Sequence, residues 1–324
     1  MTQAQSKPGG LLGYFKGCSF QPSSSGVSKT YAFQANRIKN RNLECPLYDG
    51  TRIRLKIEKE SDNNYINASR VSCPPCDRKW IVSQHPMEKY YEDFWKMIFY
   101  EEIDVIYAIF AADEGLPVYF PNETGTFYNH GEFFVHCWKT TPATGKNQAT
   151  SYTIEVLPHG CSNARYTTIL HYSHWPKNHV APSPKVILKG IQGLQPADKL
   201  TKGRCLVHSA DGTNRSMCFV MVDCVVELMF RNHTVDILEL VSLLCGQRGS
   251  AFNNRIYCIY ALFVAIDYVK IRLNKFKNSP ELLSEIETLQ TAMKKDFYKI
   301  IPKEPTQQTM RKAVMDIPLD ATIE

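Results

Sequence analysis

A short polar loop between two apolar runs carries the residues with the clearest chemical potential, in RCLVHSADGTNRSMCFV (204–220). Ser209 and Arg215 flank five residues that include Gly212, and an apolar run of helical character follows. At a helix N-terminus the backbone N–H groups are unpaired and the helix dipole favours negative charge, so such a loop can hold an anion. The Arg215 guanidinium adds a two-pronged donor for phosphate or carboxylate. The alternative is an ordinary strand-to-helix turn with a surface arginine.

The segments around this loop alternate between strand and helix patterns, which must position it. Period-2 and continuous apolar patterns predict strands, and apolar residues at helical spacing predict helices. We predict strands at 52–57, 103–110, 131–141, 151–159, 164–176 and 204–208, a strand that ends at a turn within 79–86, and helices at 88–102, 182–194, 216–230, 234–247, 254–273 and 279–301. Asn232 and Thr234 are candidate caps of one helix, and Ser279 with Pro280 would begin the last.

Length and composition fit an ordinary globular protein with a substantial core. The chain has 324 residues, of which 44% are hydrophobic and 22% are charged, and its net charge is +6. A mild positive charge suits an anionic ligand and does not by itself indicate nucleic acid. The sequence contains neither a secretory leader nor an apolar run of membrane-spanning length, so we expect no membrane insertion. Residues 1–28 are rich in Gly, Ser, Gln and Pro and predict a flexible tail.

The positions of the eleven cysteines do not indicate a disulfide framework. Several lie inside apolar runs, where a free thiol behaves as a small hydrophobic group. We therefore expect a reduced, cytoplasmic compartment. The sequence CPPC at 73–76 is a lone C-x-x-C without further ligands at zinc spacing, so no metal and no cofactor is predicted.

The opening loop resembles the signature H-C-x-x-G-x-x-R-[S/T] of the protein tyrosine phosphatases. His208, Gly212, Arg215 and Ser216 occupy the matching positions. Other landmarks of that family follow in the family's order. They are KNRN (39–42), NNYINAS (63–69), WIVSQHP (80–86), EDFWKMI (92–98), YFP (119–121), HWPK (174–177) and QRGSAFNN (247–254).

This resemblance spans roughly residues 30 to 270 and implies an α/β fold. The expected structure is a single phosphatase-like domain with a highly twisted, mixed β-sheet flanked by α-helices. The implied boundaries are a tail at 1–28, the domain at 29–272, and a C-terminal amphipathic helix and tail at 273–324. The phosphate-binding residues implied by the signature are Ser209, Ala210, Asp211, Gly212, Thr213, Asn214 and Arg215.

The positions that would perform the chemistry depart from the family pattern. The nucleophilic cysteine is replaced by Ser209, and a hydroxyl has no anionic form comparable to a thiolate near neutral pH. The general-acid aspartate of the mobile W-P-D loop is replaced by Lys177, whose reference pKa of about 10.4 makes it a poor proton donor. The glutamine that positions the hydrolytic water aligns with Asn253. We therefore predict an inactive member of the family, with no catalytic residues.

The pocket walls are altered as well. The implied lining residues are Asn42, which lacks the stacking ring of the family's tyrosine, together with His85, Lys177 and Asn253. Four further residues are implied to shape the loops: His208, Ser216, Trp175 and Pro176.

Inside the loop itself, Asp211 adds a carboxylate and Asn214 replaces a usual glycine. An ion pair between Lys177 and Asp211 across the pocket is one hypothesis, and two independent solvated charges are the alternative.

The sequence leaves two main function classes open and a third that is less favoured. In the first, the chain is an adaptor or sequestering regulator that binds a tyrosine-phosphorylated protein, for which a kinase is one candidate. In the second, it is a scaffold with a dead pocket that binds partners through other surfaces. A residual tyrosine phosphatase is the third. An engineered substrate-trapping change would explain Ser209 alone and leave Lys177, Asn42 and Asn253 unexplained.

Overall fold

The computed structural model describes residues 29–145, 147–192, 204–276 and 280–300. The predicted tail at 1–28, the Ser279 cap and the residues from Pro302 onward lie outside the described residues.

One nine-stranded mixed sheet, in the order β1-β2-β3-β9-β4-β8-β7-β6-β5, forms the centre of the structure. The strands are β1 (Arg52–Arg54), β2 (Tyr65–Ser72), β3 (Lys79–Gln84), β4 (Ile103–Ala108), β5 (Phe127–His130), β6 (Phe133–Thr141), β7 (Thr150–Pro158), β8 (Arg165–His171) and β9 (Arg204–Ser209). Strand β9 lies parallel to both β3 and β4, and β4 lies parallel to β8. The remaining pairs are antiparallel. The predicted α/β fold is confirmed.

Seven α-helices flank this sheet in the described ranges. They are α1 (Tyr31–Ala35), α2 (Tyr91–Tyr100), α3 (Pro184–Gln192), α4 (Asn214–Phe230), α5 (Ile237–Gln247), α6 (Ile256–Phe276) and α7 (Pro280–Ile300). Helix α5 is capped by Asp236, whose carboxylate accepts hydrogen bonds from Leu238 N at 2.9 Å and Glu239 N at 3.1 Å. The predicted caps Asn232 and Thr234 were wrong, because the helix starts later and Asp236 stands where a side chain can reach the free N–H groups.

The sheet separates two hydrophobic cores. Successive residues of β9 point to opposite faces, so Val207 joins the core beneath α3, α4 and α6, while Leu206 joins the core beneath α2. Both faces of β9 are therefore buried, which explains its continuous apolar sequence. The apolar run of α4 is likewise buried over most of its length, so the signature loop connects two largely buried elements.

The amphipathic C-terminal helix packs back onto the domain. Helix α6 runs through residue 272 to Phe276, and α7 places Ile286 and Met293 in the larger core. Polar contacts reinforce the pairing, since Gln290 Nε2 donates to Asp267 Oδ1 at 3.2 Å. None of the helices in the described ranges has the combined length and apolar character needed to cross a bilayer.

A buried ion pair ties α4 to β3. The carboxylate of Asp223 accepts hydrogen bonds from the Arg78 guanidinium and, at 2.9 Å, from Trp80 Nε1. Burial raises the pKa of the Asp223 carboxyl, and Arg78 and Trp80 oppose that rise. Removing one partner of such a pair leaves a charge buried without compensation, which is strongly destabilising.

We predict that Asp223→Ala lowers the free energy of unfolding by about 3–5 kcal/mol, because it strands the Arg78 charge and the Trp80 donor. The matched control is Asp77→Ala, which removes an exposed carboxylate paired with Arg231 and should cost far less. Urea denaturation followed by far-UV circular dichroism measures both. Equal losses in the two variants would contradict the prediction.

Candidate functional site

The signature loop begins where β9 ends in the middle of the sheet. Ser209 is the last residue of the strand, and α4 begins at Asn214. Between them, Gly212 adopts φ +65°, and a Cβ atom there would lie 2.3 Å from the Ser83 carbonyl oxygen. Only glycine fits, because any side chain would meet both an unfavourable φ and the backbone of β3. The loop is therefore seated directly on the end of the neighbouring strand.

The loop leaves a set of backbone donors unused. The N–H of Gly212 donates to Ser209 O and that of Asn214 donates to Ala251 O. Four other loop N–H groups donate to no acceptor in the part of the chain that the structure describes, namely those of Ala210, Asp211, Thr213 and Arg215. Together with the N-terminus of α4 they form a concentration of unpaired donors suited to an anion.

A buried arginine holds the loop from below. Arg248 is 1% exposed, and its guanidinium donates to Gly212 O at 3.1 Å, to Asp211 O at 3.0 Å and to Asn67 Oδ1 at 2.8 Å. Burial lowers the pKa of Arg248 to about 10, so the group stays charged at neutral pH. Our sequence interpretation did not single out Arg248, although its place in QRGSAFNN was visible.

Arg215 is engaged by a carboxylate that the sequence interpretation missed. Its Nη1 and Nη2 donate to the two oxygens of Glu114 at 2.5 and 2.7 Å, and both side chains are almost fully buried. Glu114 ends a short 3₁₀ helix (Ala112–Glu114) that follows β4, the strand beside β9. The signal was available, because the carboxyl ends of adjacent parallel strands meet at one edge of a sheet.

The W-P-D-like loop contacts the same arginine. The Trp175 carbonyl accepts a hydrogen bond from Arg215 Nη1 at 2.7 Å, and the Trp175 indole N–H donates to His179 O at 2.7 Å. The Trp175 ring is buried, whereas Lys177 is exposed and Pro176 partly so. The backbone of the W-P-D-like loop thus lies against the signature loop.

The structure does not support the hypothesis of an ion pair between Lys177 and Asp211. Neither residue belongs to any ion pair within 4.0 Å among the described residues. The Asp211 carboxylate is near enough to Arg248 and Arg41 to oppose, in small part, the lowering of their pKa values by burial.

Ser209 is held by hydrogen bonds and has no base beside it. The Ser216 hydroxyl donates to Ser209 Oγ at 2.8 Å, and Ser209 Oγ lies 3.5 Å from Thr213 O. The neighbouring imidazole of His208 is fully buried, and its Nε2 lies 2.8 Å from the Tyr119 hydroxyl. Burial holds the pKa of His208 well below its usual value, so the ring is neutral and turned away from Ser209.

The remaining predicted pocket residues are dispersed. Asn42 accepts a hydrogen bond from Glu44 N at 2.9 Å in a local turn, and Asn253 is exposed, with Nδ2 3.6 Å from Cys45 Sγ. Asn214 adopts φ +30°, and its Oδ1 accepts from Asn254 N at 3.1 Å, so it ties the loop to the 251–254 segment. These residues make separate contacts and form no joint hydrogen-bonding set among the described residues.

His85 lies beneath the loop rather than at its mouth. Its ring is fully buried and packs edge-on against Phe110, Tyr119 and His208. Its backbone N–H donates to Ser209 O at 2.8 Å, and its Nε2–H donates to Pro117 O at 2.9 Å. Burial lowers the pKa of His85 to about 3, an effect reinforced by nearby positive charge.

No group of three or more potential metal ligands exists within the described residues. The CPPC cysteines are free thiols.

We predict that His85 makes the fold sensitive to mild acid. Its pKa falls from about 6.5 in the unfolded chain to about 3 in the folded one, so below pH 6.5 the unfolded state binds an extra proton. His85 makes its full contribution to the free energy of unfolding above pH 6.5, and this contribution is lost as the pH falls. Between pH 7 and pH 5 the loss is about 2 kcal/mol, at about 1.4 kcal/mol per pH unit.

Urea denaturation at pH 7 and pH 5 tests this prediction with His85→Gln, which retains a donor for Pro117 O and cannot titrate. The variant should lose about 2 kcal/mol less than the wild type between the two pH values. The same change at the exposed His233 is the control and should leave the pH dependence unchanged. An unaltered pH dependence in His85→Gln would refute the assignment.

Comparisons with known proteins agree with this geometry. Residues 36–266 match the model of the family described as protein-tyrosine phosphatase. Human receptor-type tyrosine-protein phosphatase C is 26% identical over 281 residues, which cover 84% of this chain and 20% of that protein. Human receptor-type tyrosine-protein phosphatase alpha is 24% identical over 290 residues, which cover 87% of this chain and 34% of that protein.

A third relative is the tyrosine-protein phosphatase Lar-like of Caenorhabditis elegans. It is 28% identical over 222 residues, which cover 66% of this chain and 10% of that protein. The chain thus spans about a tenth to a third of the length of these three relatives. Since the matched region includes the signature loop, the W-P-D-like loop and all nine strands, the chain belongs to the protein-tyrosine phosphatase family.

Proposed function

We propose that this chain is a phosphatase-like domain that lacks phosphatase activity and binds a tyrosine-phosphorylated protein, as an adaptor or a sequestering regulator in signalling. The observation that carries the proposal is the contrast within one loop. Four unpaired backbone N–H groups are retained for an anion, while the reactive position holds a hydrogen-bonded serine without a base.

The loss of catalysis rests on protonation states. A serine nucleophile requires an adjacent general base, and the neutral, buried His208 is bonded to Tyr119. On the W-P-D-like loop, the exposed ammonium group of Lys177 replaces a carboxylic acid, and an ammonium group is a much weaker proton donor than a carboxylic acid. Nucleophile and proton donor are therefore both absent, and each such function typically contributes orders of magnitude in rate.

Retained binding is supported by the way in which the loop is braced. Arg248 and Glu114 each hold a different part of it, so the cradle is rigid before any ligand arrives. A preformed site avoids the entropic cost of ordering its donors on binding. Lys177 at the rim adds a positive charge to the approach of an anionic side chain.

The Asp211 carboxylate favours a second candidate, a scaffold whose pocket no longer accepts phosphate. Two unit charges about 4 Å apart repel by about 4 kcal/mol at an effective dielectric of 20. Glu114 also neutralises Arg215, so the local charge offered to a phosphate dianion is small. In this case partners would bind through other surfaces of the domain.

A cytoplasmic location completes the proposal. The ten cysteines within the described residues are all free thiols, which supports a reducing compartment.

We predict no turnover of a phosphotyrosyl peptide by the wild type above the rate of Ser209→Ala, measured as phosphate release. The double variant Ser209→Cys with Lys177→Asp should release phosphate measurably, because it restores both chemical groups to a braced cradle. Wild-type turnover above the Ser209→Ala rate would overturn the proposed loss of activity. An inactive but folded double variant would favour the scaffold.

We further predict that calorimetric titration detects the phosphotyrosyl peptide and not its unphosphorylated form. Asp211→Ala should tighten binding by about tenfold, equivalent to about 1.4 kcal/mol, because Asp211 is half-exposed and its repulsion is screened. Both affinities should fall when the salt concentration is raised. The control is Asp77→Ala, which removes an exposed carboxylate that is distant from Asp211 in the sequence. Equal or absent binding of the two peptides by the wild type would reject the phosphotyrosine-binding function in favour of the scaffold.

A further inference from the structure

A continuous row of aromatic rings crosses the outer part of the sheet, far from the signature loop in the strand order. Adjacent ring centroids are separated by 5.2, 5.9, 5.6 and 6.3 Å. We name it the aromatic row, and its members in order are Phe127, Phe134, His136, Trp138 and Tyr166.

Strand geometry places these rings on the face of the sheet that carries the larger core. Residues two apart on one strand share a face, and paired residues on adjacent strands share it too. Tyr166 and Leu170 have the same parity on β8, and Leu170 packs against that core. Over the central strands the face is covered by α3, α4 and α6. Over β5 to β8 its rings remain open, with Phe127 55%, Trp138 53% and Tyr166 51% exposed.

A carboxylate stands in the middle of the row. Glu155 Oε2 accepts from Trp138 Nε1 at 3.0 Å and lies 3.3 Å from His136 Nδ1, while Oε1 accepts from the Tyr166 hydroxyl at 3.0 Å. Burial raises the pKa of the Glu155 carboxyl and these hydrogen bonds lower it, with a net downward shift that keeps the group ionised. The hydrogen bonds also fix the orientation of the Trp138 and Tyr166 rings.

The charge at this position lacks a permanent counter-ion. In the residues that the structure describes, the ion pair of Glu155 is formed with His136 and not with any lysine or arginine. A carboxylate offers about four acceptor positions, so Oε1 keeps one after the bond to Tyr166. A negative charge with a free acceptor position, bordered by exposed tryptophan and tyrosine rings, matches a planar cation.

We propose that the aromatic row with Glu155 is a docking surface for an arginine side chain of a partner protein. The guanidinium stacks on the ring of Trp138 or Tyr166 and donates to Glu155 Oε1. Aromatic residues and arginine are enriched at the energetically dominant positions of protein interfaces, and exposed aromatic patches of this kind mark such interfaces. A second copy of this chain fits less well, because two symmetric surfaces would bring two Glu155 carboxylates together.

Tryptophan fluorescence gives a direct readout of this surface. The chain has four tryptophans, and Trp80, Trp95 and Trp175 are at most 1% exposed, so Trp138 alone is open to solvent. The probe is the peptide acetyl-Gly-Arg-Leu-Arg-Gly-amide, which carries neither tryptophan nor phosphate. The matched peptide replaces both arginines with citrulline, which keeps the shape and removes the charge. The test therefore does not involve the signature loop or the proposed phosphotyrosine binding.

We predict that the arginine peptide protects Trp138 from quenching by acrylamide, while the citrulline peptide binds at least about tenfold more weakly. Glu155→Gln should weaken binding of the arginine peptide by a similar factor, because the neutral amide retains hydrogen-bonding capacity and loses the charge. Glu58→Gln, at an exposed glutamate in the segment between β1 and β2, is the control and should bind as the wild type does.

Calorimetry on the same samples gives affinities that do not depend on the fluorescence response, and circular dichroism confirms that each variant is folded. Equal binding of the arginine and citrulline peptides, or unchanged binding to Glu155→Gln, would overturn the proposal in favour of a general apolar surface. Failure of the arginine peptide to bind at millimolar concentration would overturn it as well. Concentration-dependent sedimentation that is abolished by Trp138→Ser would assign the surface to self-association instead.

Discussion

Arg215 is a cation enclosed by protein, and the architecture around the signature loop depends on how that charge is balanced. Glu114, in the 3₁₀ helix that follows β4, accepts two parallel hydrogen bonds from the guanidinium, and the Trp175 carbonyl of the W-P-D-like loop accepts a third. A buried guanidinium without such partners would carry a large desolvation cost. The same contacts therefore align α4 and hold the W-P-D-like loop against the signature loop. They also neutralise much of the positive charge that a phosphate would otherwise meet.

Arg248 provides hydrogen-bond donors for the backbone carbonyls of the signature loop. The loop turns sharply at Gly212, where its close approach to Ser83 O leaves the Gly212 and Asp211 carbonyls facing the protein interior, and Arg248 donates to both. With the carbonyls satisfied from below, the N–H groups are left free above. The two buried arginines thus contribute differently to the site. Arg248 binds the loop carbonyls and so leaves the N–H groups available to an anion, whereas the positive charge of Arg215 is balanced by the Glu114 carboxylate.

Sequence reasoning predicted the features that depend on local pattern. The strand at 204–208 and the helix after it are continuous apolar runs, and the order of residues in the loop between them carries the family resemblance that implied the fold. It failed where partners are distant along the chain. Glu114 lies 101 residues from Arg215, and a short 3₁₀ turn gave no periodic signal that would mark it. Of the two alternatives for Lys177 and Asp211, the ion pair is not supported, because opposite charge alone does not bring two side chains together. His85 was placed at the pocket because its neighbours in the motif lie there, but its aromatic ring is better accommodated among Phe110, Tyr119 and His208 than in water.

The distribution of changed and unchanged signature positions follows the packing. His208, Gly212, Arg215 and Ser216 are buried, and each is bound to another part of the structure or closely packed against it, so replacing any of them would disturb the fold. Lys177 and Asn253 are exposed, and Asn42 makes only a local turn, so these positions can change at little cost in stability. Ser209 is an altered position that is buried, yet serine nearly matches cysteine in size and Ser216 provides a hydrogen bond for its hydroxyl. The proposed loss of catalysis is therefore compatible with retention of the fold, since the positions that carry the family's chemical groups are not the positions that hold this domain together.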